Sequence, residues 1–248
     1  MSKPIVSVKN FHLAIGDKEI VKDLSFEIQP GEVFAFLGAN GSGKTSTIRS
    51  LLGIYKPTSG TLHVDGQTYS PELARLVGYL PEERGLYTRS NVLDAMVYFG
   101  ELKGLTNSEA KEFSLAYLDR VGLADKANVK VKKLSGGQQQ KIQLGVAIIG
   151  GPKLLILDEP TKGLDPMNRK LLLDIVDELQ QDGVAVIYVT HLMEEVERLA
   201  DRLLILKNGE ARAYGSVAEV KKKYKSKSIE DIFVSIYDEK SSEVAHHV

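Results

Sequence analysis

Hydrophobic residues along this chain follow two patterns. Uniformly apolar runs at 33–37, 154–157, 184–189 and 203–206 predict strands that are buried on both faces. Residues 20–28 alternate between apolar and polar, which is typical of a half-buried strand. Apolar residues at helical spacing predict helices over 91–103, 108–121, 168–181 and 193–200, with Ser108 as the N-cap of the second.

Buried strands that alternate with helices indicate an α/β fold with a parallel sheet, and the early alternating strands suggest an added antiparallel β portion. The stretch 89–150 is rich in helix and interrupts the strand pattern, so we expect a helical lobe there. The predicted organisation is an α/β core from 1–88 and 151–225, the lobe at 89–150, and a C-terminal extension at 226–248.

Composition excludes several classes of function. The formal net charge of −1 provides no broad basic surface, so we expect no nucleic-acid partner. The chain has no cysteine, which rules out disulfides and thiolate chemistry. No run approaches the roughly 20 apolar residues that span a bilayer, and the N-terminus lacks the apolar core of a signal peptide. We therefore expect a cytoplasmic protein that acts on a membrane only through another subunit.

A glycine-rich loop follows the apolar run 33–37 and precedes a helix. Its residues, Gly38-Ala39-Asn40-Gly41-Ser42-Gly43-Lys44-Thr45, match the pattern G-x-x-x-x-G-K-S/T in the chain context that the motif requires. Glycines let the backbone wrap around phosphate, and a helix N-terminus favours an anion. Lys44 would reach the β- and γ-phosphates, and the Thr45 hydroxyl would face Mg²⁺.

Two carboxylates follow the apolar run 154–157. Asp158 is placed to hold Mg²⁺, and Glu159 to polarise an attacking water as general base. Acidic residues after a strand can also simply cap a helix, but the phosphate loop elsewhere in the chain favours the catalytic interpretation.

A second candidate phosphate site is the run Leu134-Ser135-Gly136-Gly137-Gln138, which precedes a helical segment. A hydroxyl and bare N–H groups at a helix start suit an anion. One nucleotide needs both sites only if they converge within the subunit. The alternative is that the second site serves a nucleotide held by another copy.

These motifs together resemble the ATP-binding cassette (ABC) ATPase family, over about residues 6–215. The resemblance implies a P-loop NTPase RecA-like core, an ATP and Mg²⁺ site, and a head-to-tail dimer that holds two ATP molecules between its subunits. Glu159, His191 and Lys44 would be catalytic, and Thr45 and Asp158 would bind the metal. The nucleotide would contact Gly38, Ala39, Asn40, Gly41, Ser42, Gly43, Lys44, Thr45, Ser46, Ser135, Gly136, Gly137, Gln138 and Asp165.

Two positions depart from the family pattern. Ile15 stands where an aromatic residue usually stacks on adenine, so we expect only apolar contact with the base. Glu82 stands where a glutamine usually faces the metal. An ionised glutamate accepts hydrogen bonds but cannot donate them, so Glu82 is either an altered metal ligand or an exposed loop acid.

The run 79–87 (YLPEERGLY) and the segment 228–233 (SIEDIF) are similar to those of ATPases from bacterial type-2 ABC exporters of the sodium-extrusion and drug-export kinds. That resemblance implies a peripheral position at the inner face of the cell membrane, a separate polytopic membrane subunit, and a second ATPase subunit, expected to be another copy of this chain. An importer ATPase and a soluble ABC ATPase without a transport role are the alternatives.

Overall fold

The computed structural model describes residues 3–83 and 85–238. The chain divides into two compact units, one made of Met1–Tyr69 with Ile187–Val248 and the other of Ser70–Val186. We call them unit 1 and unit 2. The predicted boundaries at 88/89, 150/151 and 225/226 stay a prediction, and residues 239–248 of the predicted extension lie outside the described part of the chain.

Unit 1 contains a three-stranded antiparallel sheet in the order β2-β1-β4. Its strands are β1 (Val6–Ile15), β2 (Lys18–Ile28) and β4 (Ser59–Val64). Val8 pairs with Phe26 on one side and with Leu62 on the other. All three side chains are buried, so this sheet has an apolar face, as the alternating pattern of residues 20–28 predicts.

The glycine-rich loop of unit 1 follows a strand of a second group. β3 (Val33–Leu37) runs parallel to β8 (Arg202–Lys207), and β8 pairs in antiparallel fashion with β9 (Glu210–Ser216). All five residues of β3 are buried, in agreement with its uniformly apolar sequence. The helices of this unit are α1 (Lys44–Leu51), α6 (Met193–Leu199), α7 (Val217–Lys223) and α8 (Ile229–Tyr237).

Unit 2 places helices around a short parallel strand pair, β5 (Val77–Leu80) and β6 (Leu154–Asp158). Its helices are α2 (Val92–Leu102), α3 (Asn107–Arg120), α4 (Gly136–Ile148) and α5 (Pro166–Gln181). Short 3₁₀ turns lie at Pro71–Leu76, Ala124–Lys126 and Val131–Lys133. The division between the units falls within β7 (Ala185–Val189).

The start of α3 corrects one prediction. Thr106, not Ser108, is its N-cap. The Thr106 hydroxyl accepts from the backbone N–H of Glu109, and the Glu109 carboxylate accepts from the backbone N–H of Thr106. This reciprocal capping box satisfies two donors, which a cap at Ser108 would leave unpaired.

A partly buried lysine at the C-terminus of α2 connects this helix to the segment that enters β5. The Lys103 ammonium donates to the carbonyls of Ala74, at 2.6 Å, and Val77. Burial lowers the pKa of Lys103 below its ordinary value.

No helix in the described part of the chain is long and apolar enough to cross a bilayer.

Candidate functional site

The glycine-rich loop connects β3 to α1, as the sequence predicts. Gly41 and Gly43 have φ angles of 79° and 111°, a region in which side chains are disfavoured. A Cβ on Gly38 would lie 2.4 Å from Ser42 Oγ and 2.6 Å from the Leu206 carbonyl oxygen. The loop therefore needs glycine at these positions, and it brings backbone N–H groups to the start of α1, where a phosphate is favoured.

Lys44 is the first residue of α1, and its side chain folds back over the loop. Its ammonium donates to the carbonyl oxygens of Gly38, at 2.6 Å, and Ala39, at 3.2 Å. Lys44 is only 8% exposed, so this positive charge is held at the loop rather than in solvent. Ser42 Oγ is buried and has no hydrogen-bond partner among the described residues. The ammonium, this hydroxyl and the glycine backbone together fit a triphosphate.

Asp158 and Glu159 follow one another at the end of β6, in unit 2. Asp158 ends the strand and is 6% exposed. Glu159 has a φ of 51°, a left-handed conformation that is rare for a residue with a side chain. Such strain costs about 1–3 kcal/mol and tends to cluster at functional sites, although Asn10, Asp23, Asp65, Asn208 and Lys225 also have positive φ angles. Its presence directly after Asp158 supports the catalytic interpretation of Glu159.

Glu82 is bound to a lysine that sequence reasoning did not single out. Its carboxylate lies 2.7 Å from the Lys162 ammonium, and both residues belong to unit 2. The hydrogen bond to Glu82 and the charge of Glu82 raise the pKa of Lys162, and the charge of Glu159 adds to this shift. Lys162 therefore compensates the extra negative charge that glutamate brings to this position. The role of Glu82 as a metal ligand stays a prediction.

Ser135 is the N-cap of α4. Its hydroxyl accepts from the backbone N–H of Gln138, at 3.3 Å, and Gln138 Oε1 accepts from the backbone N–H of Ser135, at 2.9 Å. Farther along the helix, the Gln140 amide donates to the Pro160 carbonyl at 2.9 Å. Because Pro160 directly follows Glu159, this buried bond fixes α4 against the turn that carries the proposed general base.

Asp165 is the N-cap of α5, and its carboxylate accepts from the backbone N–H groups of Met167 and Asn168, each at 3.0 Å. The backbone and side-chain hydrogen bonds from Asn168 lower the pKa of Asp165. The starts of α4 and α5 border the same cavity of about 550 Å³ within unit 2. It is lined by Gly122, Leu123, Ser135, Gly136, Gly137, Gln138, Lys141, Gly163, Asp165 and Asn168. The structure thus brings Ser135–Gln138 and Asp165 together.

His191 follows β7 in unit 1, and a buried network holds the loop around it. The Tyr188 hydroxyl donates to the Glu195 carboxylate at 2.8 Å, and the Thr190 hydroxyl donates to the same oxygen at 3.3 Å. Thr190 Oγ1 also accepts from the backbone N–H of Leu192 at 3.1 Å. His191 itself is exposed, and it directly follows Thr190 of this buried network.

Ile15 ends β1 and is 48% exposed. An exposed apolar residue at a strand end suits contact with a flat base, and that contact stays a prediction.

Sequence reasoning missed the residues that hold the predicted ones in place. Lys162, Gln140 and Glu195 each contact a segment that carries a predicted site residue. Glu195 lies among apolar residues of α6, and this sequence pattern is only a weak indication that its carboxylate is buried. The contacts of Lys162 and Gln140 join residues distant in sequence, and no local pattern indicates them.

Comparison with known proteins agrees with these features. A family model described as ABC transporter matches residues 21–162, which is more than half of the chain. An uncharacterized ABC transporter ATP-binding protein of Methanocaldococcus jannaschii is 42% identical over 221 residues, covering 89% of this chain and 81% of that protein. The linearmycin resistance ATP-binding protein of Bacillus subtilis is 38% identical over 219 residues, covering 87% of this chain and 70% of that protein.

A solved structure described as the ATP binding subunit of an ABC transporter has a TM-score of 0.89 and 26% identity, and covers 94% of this chain and 100% of its own. The chain therefore belongs to the ABC transporter family, and the predicted fold class and family resemblance are confirmed. It is an ATP-binding subunit of a transporter. Subunits of this family work with a membrane component.

Proposed function

We propose that this chain hydrolyses ATP with Mg²⁺ and that ATP-driven closure of a head-to-tail dimer drives a membrane exporter. The observation that carries this proposal is the cavity of about 550 Å³ at the starts of α4 and α5. The N-termini of α4 and α5 meet there. That of α4 favours negative charge, whereas that of α5 is already capped by the Asp165 carboxylate. The cavity volume lies within the range of small-molecule sites, roughly 300–1,000 Å³.

The cavity supports a dimer because the chain already has a complete phosphate loop. Gly38–Thr45 of one copy would hold the nucleotide, and Ser135–Gln138 of the other copy would contact its γ-phosphate. The second ATPase subunit is expected to be a copy of this chain, since the chain supplies both halves of such a site. A related ATPase as partner is the alternative.

The residues present fit Mg²⁺, which keeps several waters and takes only one or two protein ligands beside phosphate oxygens. The Thr45 hydroxyl and the Asp158 carboxylate would hold the ion together with the nucleotide. Bound there, Mg²⁺ would neutralise charge on the β- and γ-phosphates.

Glu159 would then take a proton from the attacking water, and His191 would orient the γ-phosphate. Lys44 would exchange its loop carbonyls for phosphate oxygens. Phosphoryl transfer to water requires mostly positioning and charge stabilisation. The buried frames around Glu159 and His191 provide that positioning.

An exposed aromatic cluster on unit 2 supports a membrane partner. Tyr87 is 53% exposed and follows the Glu82 loop, and Tyr98 on α2 is 43% exposed. The rings of Tyr87, Tyr98 and Phe99 lie 5.6–5.8 Å apart, from centroid to centroid. Exposed aromatic residues in a packed group are typical of interface anchors. We propose that this cluster receives the cytoplasmic segment of a polytopic membrane subunit, which would place the chain at the inner face of the cell membrane.

The export direction is supported by the runs 79–87 and 228–233 and by the relative from Bacillus subtilis, whose name refers to linearmycin resistance. Resistance to a compound is a natural role for an exporter. An importer ATPase shares the core motifs and remains the first alternative, and a soluble ABC ATPase is the second.

Replacing Glu159 by Gln tests hydrolysis and dimer closure together. Loss of a general base typically lowers a rate by about 10²–10⁴-fold, or about 3–5 kcal/mol of barrier. We expect Glu159→Gln to bind ATP, to release almost no phosphate, and to elute as a dimer with MgATP in size-exclusion chromatography. Glu178→Gln, an exposed glutamate of the same unit, should behave as the wild type. Phosphate release by Glu159→Gln at the wild-type rate would contradict the assigned base.

The membrane partner is tested by co-purification of the tagged chain from its own cells in mild detergent. We expect a polytopic membrane protein in near-equal amount, and expect Tyr98→Ala to reduce its recovery. Leu115→Ala is the matched control, since Leu115 is also 43% exposed, on the neighbouring helix α3. Recovery of soluble proteins alone would leave ATP binding standing and remove the transport proposal.

A further inference from the structure

The C-terminal helix α8 reaches the phosphate-binding loop through its last residue. The Tyr237 hydroxyl accepts from the backbone N–H of Ala39 at 2.8 Å and donates to the carbonyl of Leu206. All three residues belong to unit 1, and 198 positions separate Tyr237 from Ala39. The hydroxyl thus joins the end of β8 to the first turn of the loop.

The bonded N–H belongs to a peptide group with a second role. The N–H of Ala39 and the carbonyl of Gly38 form one planar unit, and the chain has no cis peptide among the described residues. In a trans peptide these two groups point to opposite sides. Lys44 donates to the Gly38 carbonyl at 2.6 Å. The same peptide plane is therefore held by Tyr237 on one side and by Lys44 on the other.

We infer that Tyr237 is a positioning residue for the nucleotide site, acting through the Gly38–Ala39 peptide on Lys44. When Lys44 turns from the Gly38 carbonyl toward phosphate, the Tyr237 hydroxyl is the contact that keeps this peptide plane in place. The glycine at position 38 would otherwise let the plane rotate, because it lacks the Cβ that restricts other residues. This inference rests on the ATP-binding role of the loop.

The rest of α8 is built to hold Tyr237 in this position. Ile229 and Ile232 are 0% and 1% exposed and pack into the core of unit 1. At the start of the helix, the Glu197 carboxylate accepts from the backbone N–H of Ile229 at 2.8 Å. At its end, the Lys207 ammonium donates to the Ile236 carbonyl at 2.7 Å and lies 5.6 Å from the Tyr237 ring centroid. Both ends of α8 are therefore fixed to the same unit as the loop.

The test compares Tyr237→Phe with Tyr224→Phe in the full chain. Tyr224 is a matched control because its hydroxyl also donates to a backbone carbonyl of unit 1, that of Arg212, at 2.9 Å. Without this bond, nucleotide binding must itself order the loop, and an ordering cost equal to about one net hydrogen bond corresponds to about a fivefold loss of affinity. We expect Tyr237→Phe to raise the Kd for MgADP, measured by calorimetry, and the KM for ATP by about fivefold. The value of kcat should change less, because ground and transition states lose the same contact.

A second variant tests the route of the effect. Ala39→Pro removes the N–H that Tyr237 accepts from. In the Ala39→Pro background, Tyr237→Phe should therefore leave the Kd for MgADP unchanged. A persisting fivefold effect there would show that Tyr237 acts by another route and would overturn the inference.

The outcomes separate this inference from the proposed function. If the wild type and both tyrosine variants bind MgADP equally well, only the role of Tyr237 falls. The role also falls if Tyr224→Phe weakens binding as much as Tyr237→Phe, because the effect would then be general destabilisation. If the wild type itself binds no nucleotide, the nucleotide function fails and the inference fails with it.

Discussion

The buried carboxylate of Glu195 provides a test of how the His191 loop is held. Glu195 lies on α6 and is 1% exposed, as are Tyr188 and Thr190, whose hydroxyls donate to it. His191 lies between Thr190 and the N-terminus of α6. Glu195→Leu replaces the carboxylate by an apolar side chain of similar size and so removes the acceptor.

The expected loss of stability follows from the two hydroxyl groups that lose this acceptor. A buried polar group deprived of its partner costs about 1–3 kcal/mol. The Thr190 hydroxyl still accepts from the backbone N–H of Leu192, so most of the loss falls on Tyr188. We expect about 2–4 kcal/mol, a large part of the roughly 5–15 kcal/mol that stabilises a typical domain. Because a displacement of about 1 Å can cost 10²-fold in rate, kcat should also fall where the variant is still folded.

Urea unfolding and phosphate release measure the two effects. Glu194→Leu is the control, because Glu194 is the exposed neighbour of Glu195 on the same helix. In a Tyr188→Phe background, Glu195→Leu should lower the free energy of unfolding by about 1–3 kcal/mol less than it does in the wild type. The reason is that the Tyr188 hydroxyl, which would lose its acceptor, is already absent. Surface substitutions usually change the free energy of unfolding by no more than about 0.5 kcal/mol. A change this small for Glu195→Leu would refute this account of the loop.

Two further predictions concern charged pairs. The backbone N–H of Ile229, followed by Lys221, lowers the pKa of Glu197 below its ordinary 4.5, so the stability it adds to α8 is present above pH 4.5 and is lost as the pH falls through the lowered pKa. Thermal unfolding between pH 6 and 3 should therefore show a steeper acid loss for the wild type than for Glu197→Gln, and parallel curves would contradict this. Lys162→Ala should change the free energy of unfolding by less than about 1 kcal/mol, because Lys162 and Glu82 are both exposed; a larger change in urea unfolding would show that the pair is structural.

Segments with a strong local pattern were predictable from the sequence. The apolar run 33–37 coincides with β3, and the run 154–157 with all but the last residue of β6. The sequence does not predict β4, because its first three residues are exposed and give no alternation. Residues 228–233 of the α8 region stand out in the sequence only as a family-like segment, although Ile229 and Ile232 are both buried. A short helix with one apolar face gives a weak signal when its neighbours are charged.

The candidate catalytic and binding residues could be predicted from the sequence because each motif is local. The loop Gly38–Thr45 would bind phosphate through consecutive backbone groups, and Asp158 and Glu159 are adjacent. The contacts that orient these residues are of another kind. Lys162 meets Glu82 across 80 positions, and Tyr237 meets Ala39 across 198. Such pairs depend on the tertiary fold, which no local spacing reveals.

Chains that share every local motif can still differ in the tertiary contacts that hold the phosphate loop. The motifs determine which phosphate contacts are available, but the free energy gained from them depends on how rigidly the loop is held before the nucleotide arrives. In this chain, the inferred contribution to that rigidity is one hydroxyl at the end of the last described helix. Two ATPases with identical loops can therefore differ severalfold in nucleotide affinity according to whether the residue equivalent to Tyr237 bears a hydrogen-bonding group. The nucleotide site thus extends beyond its motifs, to residues recognised only by the backbone atoms they contact.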